Sequence, residues 1–589
     1  MKPLVVLESH DPLRNPRSFR FADPIREIAA HKPDEVRGVI ECVVREVAAG
    51  RHAAGILCYE AASGFDPAMR VKLLTDLPLV WFGIFRDRVE ITPGQFGSDA
   101  AFSLSDWASS LERETYANAI ARIREYIASG DTYQVNFTFR QRATFSGSPI
   151  GFFRALCRSQ RAGFCAYMDL GRHAIISASP EMFLRLEGRE LTVRPMKGTM
   201  RRGRWWDEDE SLARALEHCP KNRAENVMIV DLMRNDLGRV AEVGSVVVPR
   251  LYEVERYDTV FQMTSTVQCR VRENVALADL FAAVFPSGSV TGAPKMRTMQ
   301  IIKELEDSPR GVYTGAIGFV SPRSGGPPGE MDSMFSVAIR TVVLDNETKR
   351  AEFGVGSGIT FDSVAEAEYA ECKLKTRFLT TSRPDFELLE TLLCELPSGY
   401  FLLSRHLERL EKSARYFGFR FDRQSVAEGL QTTARQWNAG RFRVRLLLTR
   451  NGSVAITHGP APPLSDGLPK VAIASAPIDS GNPFLYHKTT RREVYESRAR
   501  TRSDCADVLL INERGEVTES AIANLVVAMD GRLYTPPIHS GLLPGVFRAE
   551  LLEGGRIVER VIRPEDLEKA EAVYLVNSLR KWVRVKVVP

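Results

Sequence analysis

The stretch Thr380-Thr381-Ser382-Arg383-Pro384-Asp385 constrains this chain most, because the pattern changes on either side of it. It is short, polar and proline-bearing, which reads as a linker. A chain of 589 residues also exceeds what one hydrophobic core organises, so two or more cores are expected. The expected division is residues 1–379, a linker at 380–385 and a second part at 386–589. After the break a new pattern starts at Phe386-Glu387-Leu388-Leu389-Glu390-Thr391. Tyr400-Phe401-Leu402-Leu403 is strand-like and leads into an amphipathic helix, with Leu407, Leu410, Ala414 and Phe417 at helical spacing. Arg443-Val444-Arg445-Leu446-Leu447-Leu448 and Val471-Ala472-Ile473-Ala474 read as short strands.

Composition excludes several classes. Hydrophobic residues at 44% and charged residues at 26% are those of a soluble globular protein. No apolar run approaches the roughly 20 residues of a membrane span. The start, Met1-Lys2-Pro3-Leu4-Val5-Val6-Leu7-Glu8-Ser9, has neither a long apolar core nor a small-residue cleavage site, so no signal peptide is expected and the cytoplasm is the default. Nine cysteines without a CxxC pair signal neither a disulfide framework nor zinc. A net charge of +5, with acids and bases interleaved, suits anionic small molecules and marks no nucleic-acid stripe.

Residues 130–373 hold the motifs with chemistry in them: Gly130-Asp131-Thr132-Tyr133-Gln134-Val135-Asn136, Ser179-Pro180-Glu181, Arg194-Pro195-Met196-Lys197-Gly198-Thr199, Gly354-Val355-Gly356-Ser357-Gly358 and Glu368-Tyr369-Ala370-Glu371. Together they resemble the chorismate-utilising enzymes. That resemblance implies an α+β fold with antiparallel sheets packed as a sandwich and helices outside. It also implies alanine at position 197 in anthranilate-type and isochorismate-type members and lysine in the aminodeoxychorismate synthase branch, which this chain matches. Gln262 stands where anthranilate-type members carry histidine, which points the same way.

Replacing the C4 hydroxyl of chorismate by an amine needs a nucleophile, an acid for the departing hydroxyl and cations for the carboxylates. A lysine is nucleophilic only when neutral, and burial or nearby cations achieve this. Arg194 and Arg201 are expected to supply that cationic field. The resemblance implies that Lys197 attacks the ring, that Glu181 protonates the leaving group, and that ammonia displaces the lysine. It further implies substrate contacts at Thr199, Tyr313, Arg340 and Gly358, and a Mg2+ ion held by Glu225 and Glu371 with Glu368 beside them. Asn222, Glu225 and Ile229 share one helical face by spacing, as do Glu368 and Glu371. Ser289 to Pro294 leads into a helix expected to end near Glu306, with Pro294 in its first turn.

The part after the linker is similar to class IV pyridoxal-phosphate enzymes through His406 to Leu410, His487-Lys488-Thr489-Thr490, Val517-Thr518-Glu519-Ser520 with Asn524, and Leu543-Pro544-Gly545-Val546-Phe547-Arg548. The resemblance implies a smaller α+β domain whose opening strands are shortened, and a homodimer through it. It makes Lys488 the lysine that carries pyridoxal 5'-phosphate and Glu519 the partner of the ring nitrogen. Arg409, the Val546 and Phe547 amides and Ser578 would hold the phosphate. The resemblance implies aminodeoxychorismate lyase for this part, with an aminotransferase or a non-catalytic dimerisation module as the alternatives. The first two predict chemistry at Lys488, the third none. Joined to the first part, a lyase would yield 4-aminobenzoate and pyruvate for folate synthesis. No cysteine sits in a Gly-x-Cys-x-Gly setting, so nitrogen from glutamine is expected to need a separate amidotransferase subunit.

Overall fold

The computed structural model describes residues 3–11, 15–327, 329–376, 379, 385–463 and 467–588; positions 380–384 of the expected linker lie outside the described residues. Two compact units are present, one comprising Met1–Met200 and Ala215–Arg383, the other Arg201–Arg214 and Pro384–Pro589. Residues 201–214 thus fold with the C-terminal unit although they sit inside the N-terminal sequence.

The first unit contains two large sheets. An 11-stranded sheet holds the long strand Gln134–Gly147 near one end, followed in order by Arg350–Ile359, Thr341–Asp345, His173–Ser179, Phe164–Asp169 and Leu4–Glu8. A 10-stranded sheet runs from Met196–Arg201 and Val260–Arg270 through Met182–Glu187, Met331–Val337 and Ala316–Pro322 to His52–Leu57 and Val80–Phe85. Apolar side chains from both meet face to face: Val5, Phe21, Met168 and Ile175 of one sheet pack with Ile56, Trp81, Phe85 and Ile317 of the other. This is the expected sandwich, since antiparallel strands with one apolar face each bury it against a second sheet. The outer faces take helices. Val36–Ala48, Pro220–Gly238 and Leu277–Val284 cover the 10-stranded sheet, while Arg113–Ala128, Pro149–Gln160 and Ala365–Thr376 cover the other.

The chain crosses between sheets at Pro180–Glu181 and again at Ala338–Arg340. Ser179 Oγ donates to Val337 O at 2.6 Å and Val337 N donates to Glu181 O at 3.1 Å, so the two crossings are tied side by side. Thr314 and Arg340 adopt left-handed backbone with φ of 63° and 51°, a conformation uncommon for non-glycine residues. The helix after Pro294 spans Lys295–Leu305, with Pro294 as its N-cap and Glu306 as its C-cap.

In the second unit, strands Leu388–Leu396, Gly440–Leu448 and Val454–Pro460 form a small antiparallel sheet with the short Gly399–Tyr400. Helices Leu403–Phe417 and Arg423–Ala434 lie on it. Leu407, Leu410 and Ala414 are buried as their spacing predicts, while Phe417 is half-buried against the Phe386 ring at 4.9 Å. An eight-stranded sheet follows, in which Lys470–Ile473 pairs parallel with both neighbours and the other described pairings are antiparallel except Arg532–Thr535 with Val558–Glu559. The inserted segment is held by polar and ring contacts. Arg202 pairs with Asp209 at 2.8 Å, both buried, Tyr416 Oη donates to Gly203 O at 2.7 Å, and Trp205 packs on Tyr486 with centroids 5.2 Å apart.

Candidate functional site

Strand Met196–Arg201 carries Lys197, and its position is fixed from behind. Gly198 has φ 102°, and a Cβ there would lie 3.2 Å from Asn222 and Met263, so helix Pro220–Gly238 approaches the strand closely. One turn on, Asn226 Nδ2 donates to Lys197 O at 3.2 Å and its Oδ1 accepts from Ser265 Oγ at 2.6 Å. From the facing sheet comes Gly358, where a Cβ would collide with both Lys197 Nζ and Gln134 Nε2. The glycine therefore opens the space that the amine occupies.

Burial of that amine lowers the Lys197 pKa, and the Lys375 cation lowers it further, against Glu225, Glu181 and Glu371, which raise it. The expected cations are engaged by other carboxylates. Arg194 is taken by Glu255 and Glu253 at 2.5 and 3.4 Å, and Arg201 by Glu208 at 3.1 Å. Lys375, from the last turn of helix Ala365–Thr376, replaces them; its Nζ donates to Gly356 O at 2.9 Å and pairs with Glu371 at 2.8 Å.

Glu181 is buried at the sheet crossing, and burial pushes its carboxyl up to about 7, while a hydrogen bond from Ser289 Oγ (2.6 Å) and the Lys197 charge pull it down. A carboxyl poised there is protonated often enough at neutral pH to act as an acid. Ser289 is steadied by Arg310, whose guanidinium donates to Val290 O at 2.8 Å and to Asn136 O at 2.6 Å while pairing with Glu306 at 2.6 Å.

The remaining expected contacts divide. Tyr313 lies beneath Gly354, where a Cβ would enter its ring, and Arg140 stacks on it at 5.3 Å. Thr199 is exposed and donates to Gln262 at 3.0 Å, joining two positions singled out in the sequence. Arg340 donates to Gln160 at 2.7 Å. Glu225 and Glu371 both act on Lys197, so they share its neighbourhood, whereas Glu368 accepts from Ser363 at 2.8 Å. Among the described residues these three carboxylates do not converge as a cluster. Glu225 and Glu371 offer oxygen donors of the kind that a hard cation such as Mg2+ accepts when substrate oxygens complete its shell.

In the second unit, Glu390 organises one wall. It accepts from Arg409 Nε and Nη2 at 2.8 and 2.6 Å and from His406 Nδ1 at 2.7 Å; despite its burial these partners hold it down at about 2. Arg409 also reaches Pro544 O at 3.4 Å, next to the N-terminus of helix Val546–Glu553. An arginine beside the free N–H groups of Val546 and Phe547 suits a phosphate. Ser578, just past strand Ala572–Asn577, is buried and donates to no described residue. Burial lowers Lys488 to about 8, with Arg409 next in effect, and raises Glu519 to about 8. Glu519 is fixed by Tyr495 Oη (3.0 Å), Leu543 N (3.0 Å) and Asn524 Nδ2 (3.1 Å). A lysine, a fixed carboxylate and a phosphate cradle are the donor set pyridoxal phosphate requires, and the residues fit it. Sequence reasoning missed Gln134, Ser289, Lys375, Glu390 and Tyr495 as site residues. Gln134, Ser289 and Glu390 stood inside stretches already singled out, whereas Lys375 and Tyr495 did not.

The comparisons follow the same division. Residues 3–381 match the family described as chorismate binding enzyme, and residues 387–588 match amino-transferase class IV. Aminodeoxychorismate synthase component 1 of Escherichia coli (strain K12) is 44% identical over 278 residues, covering 47% of this chain and 59% of that protein. The same-named protein of Bacillus subtilis (strain 168) is 38% identical over 298 residues, 51% of this chain and 58% of its own. The chain thus spans under two thirds of these relatives' length. The structure of anthranilate synthase component I from Streptococcus pneumoniae TIGR4 aligns with TM-score 0.55 and 27% identity, covering 62% of this chain and 92% of that one. With the family match extending over more than half of its length, this chain belongs to the chorismate binding enzymes.

Proposed function

We propose that this chain converts chorismate and ammonia to 4-amino-4-deoxychorismate and then to 4-aminobenzoate and pyruvate. The observation that carries the first step is the closeness of half-buried Lys197 to buried Glu181, each charge acting on the other, with the amine lowered and the carboxyl raised. These shifts favour a neutral amine and a protonated acid together, the pair that substitution at a poor leaving group needs. Lys197 Nζ forms a bond to the ring as the C4–O bond breaks, and the Glu181 proton leaves with the hydroxyl as water. Ammonia then forms the new C–N bond, and Lys197 departs with its electron pair. Tyr313, Arg340 and the open backbone at Gly358 would position the ring and its carboxylates. Glu225 and Glu371 would hold Mg2+, which supplies charge neutralisation for a carboxylate.

In the second step, bound pyridoxal phosphate supplies an electron sink for bond breaking at the carbon bearing nitrogen. Arg409 and the N-terminus of helix Val546–Glu553 would hold its phosphate, and Glu519 would pair with its ring nitrogen. Lys488 Nζ, lowered to about 8, would move protons while pyruvate leaves and the ring becomes aromatic. The Lys488–Glu519 pair favours this reading over a non-catalytic module. A class IV aminotransferase is the alternative; formation of the pyridoxamine form with an amino-acid donor would mark it.

Product analysis with chorismate, ammonium, Mg2+ and pyridoxal phosphate tests the proposal. Equal amounts of 4-aminobenzoate and pyruvate are expected. Anthranilate as product, or stable aminodeoxychorismate, would overturn the first or second assignment respectively. The nitrogen source is proposed to be a separate glutamine amidotransferase subunit. Glutamine alone should then support no turnover, and robust product from glutamine would sink that part.

A further inference from the structure

One chemically distinctive cluster in the first unit stands apart from the residues assigned above. His10, Cys157 and Cys165 bring their donor atoms within 4.8 Å of one another. They come from three places: the turn after strand Leu4–Glu8, helix Pro149–Gln160 and the first residues of strand Phe164–Asp169. His10 N donates to Ala162 O at 3.0 Å, which holds the histidine over the loop joining the two cysteine-bearing elements. Both cysteines are fully buried, while the His10 side chain keeps 18% of its surface exposed. Glu8 Oε2 lies 3.0 Å from His10 Nε2, and Glu8 Oε1 is buried without a partner. The nearby Arg154 guanidinium is engaged by Asp99 at 3.6 Å and by the Gly94 carbonyl.

We propose that His10, Cys157 and Cys165 form a binding site for a soft divalent cation of the zinc(II) type. Zinc takes nitrogen and sulfur donors in a tetrahedron, with bonds of about 2.0–2.3 Å that set neighbouring donors about 3.5–3.8 Å apart. The cluster needs shifts of less than about 1 Å per donor to reach that spacing. A carboxylate on one ring nitrogen orients an imidazole and leaves the other as donor, the usual support of a zinc-bound histidine. Two thiolates balance the ion's double charge, so the buried assembly is close to neutral. Binding releases the two thiol protons to solvent, and the partly exposed histidine edge leaves the fourth position to water. Sulfur donors reject magnesium, so this site and the carboxylate site select different ions. The ion would staple the first strand of the chain to helix Pro149–Gln160 and strand Phe164–Asp169.

The test uses the full chain, reduced and stripped of metal, titrated with cobalt(II) and then zinc(II). One cobalt per chain should give a thiolate-to-cobalt charge-transfer absorption that one equivalent of zinc abolishes. An all-oxygen site gives no such band. Cys157→Ser and Cys165→Ser should each remove it, His10→Ala should weaken binding at least tenfold, and Cys58→Ala, at a buried cysteine elsewhere, should leave it intact. Zinc should also raise the thermal midpoint of the parent and not of the serine variants. Absence of the band in the parent overturns the proposal irrespective of how the variants fold. So does a band that persists when both cysteines are serine, or a Cys157–Cys165 disulfide in metal-free protein isolated without reductant.

Discussion

The pKa values of Lys197 and Glu181 are set by their surroundings, so substituting a neighbour should retune them. Lys197→Ala should end aminodeoxychorismate formation while pyruvate release from supplied aminodeoxychorismate continues; separate assays of the two steps check this. Glu181→Gln should slow the first step on the order of 10²–10⁴-fold, the usual worth of a general acid. Ser289→Ala removes a hydrogen bond that holds the Glu181 carboxyl down. Its pKa therefore rises, the acid form survives to higher pH, and the alkaline limb of the pH–rate profile should move upward. The measurement is kcat against pH at constant free ammonia. An unmoved limb would separate Glu181 from that limb.

Glycines and buried ion pairs set the elements around these groups. Gly358→Ala should displace the Lys197 amine and the Gln134 amide, both flexible ends, so kcat/KM for chorismate should fall far more than thermal stability. Glu390→Gln should cost about 3–5 kcal/mol, because it leaves the Arg409 charge without its buried partner. Since Glu390 is held at about 2, below the ordinary carboxyl value, its contribution is full above that ordinary value and is lost as pH falls toward about 2. Denaturant unfolding of both proteins across that range checks the sign. Lys197, Glu181, Lys488 and Glu519 could be singled out as candidates because local motifs surround them, and the Leu403–Phe417 helix was legible because its apolar spacing is regular. Lys375 and Glu390 were not, since their roles arise only when distant strands and helices meet. Arg194 and Arg201 misled for the converse reason: closeness in sequence says nothing of which carboxylate captures a guanidinium. The His10, Cys157 and Cys165 cluster was hidden likewise, its members being far apart and free of any zinc spacing.

At the scale of the molecule, the two units are not consecutive blocks of sequence, because Arg201–Arg214 folds with residues beyond 384. A fragment spanning 385–589 expressed alone should lose the Tyr416–Gly203 hydrogen bond, the Arg202 guanidinium over Tyr416 (4.5 Å) and the Trp205 packing on Tyr486. A deficit on the order of a few kcal/mol is expected. A lower thermal midpoint than that of the same unit in the full chain, restored in part by a peptide of residues 201–214, would show it. The same feature governs how the chain responds to a nick. A protease that cuts between 380 and 385 leaves the two pieces joined, because residues 201–214 stay packed on Tyr416 and Tyr486 of the piece that follows. The two fragments should elute together from a sizing column and part only in denaturant, so a cleaved preparation would pass for an intact one until it was unfolded.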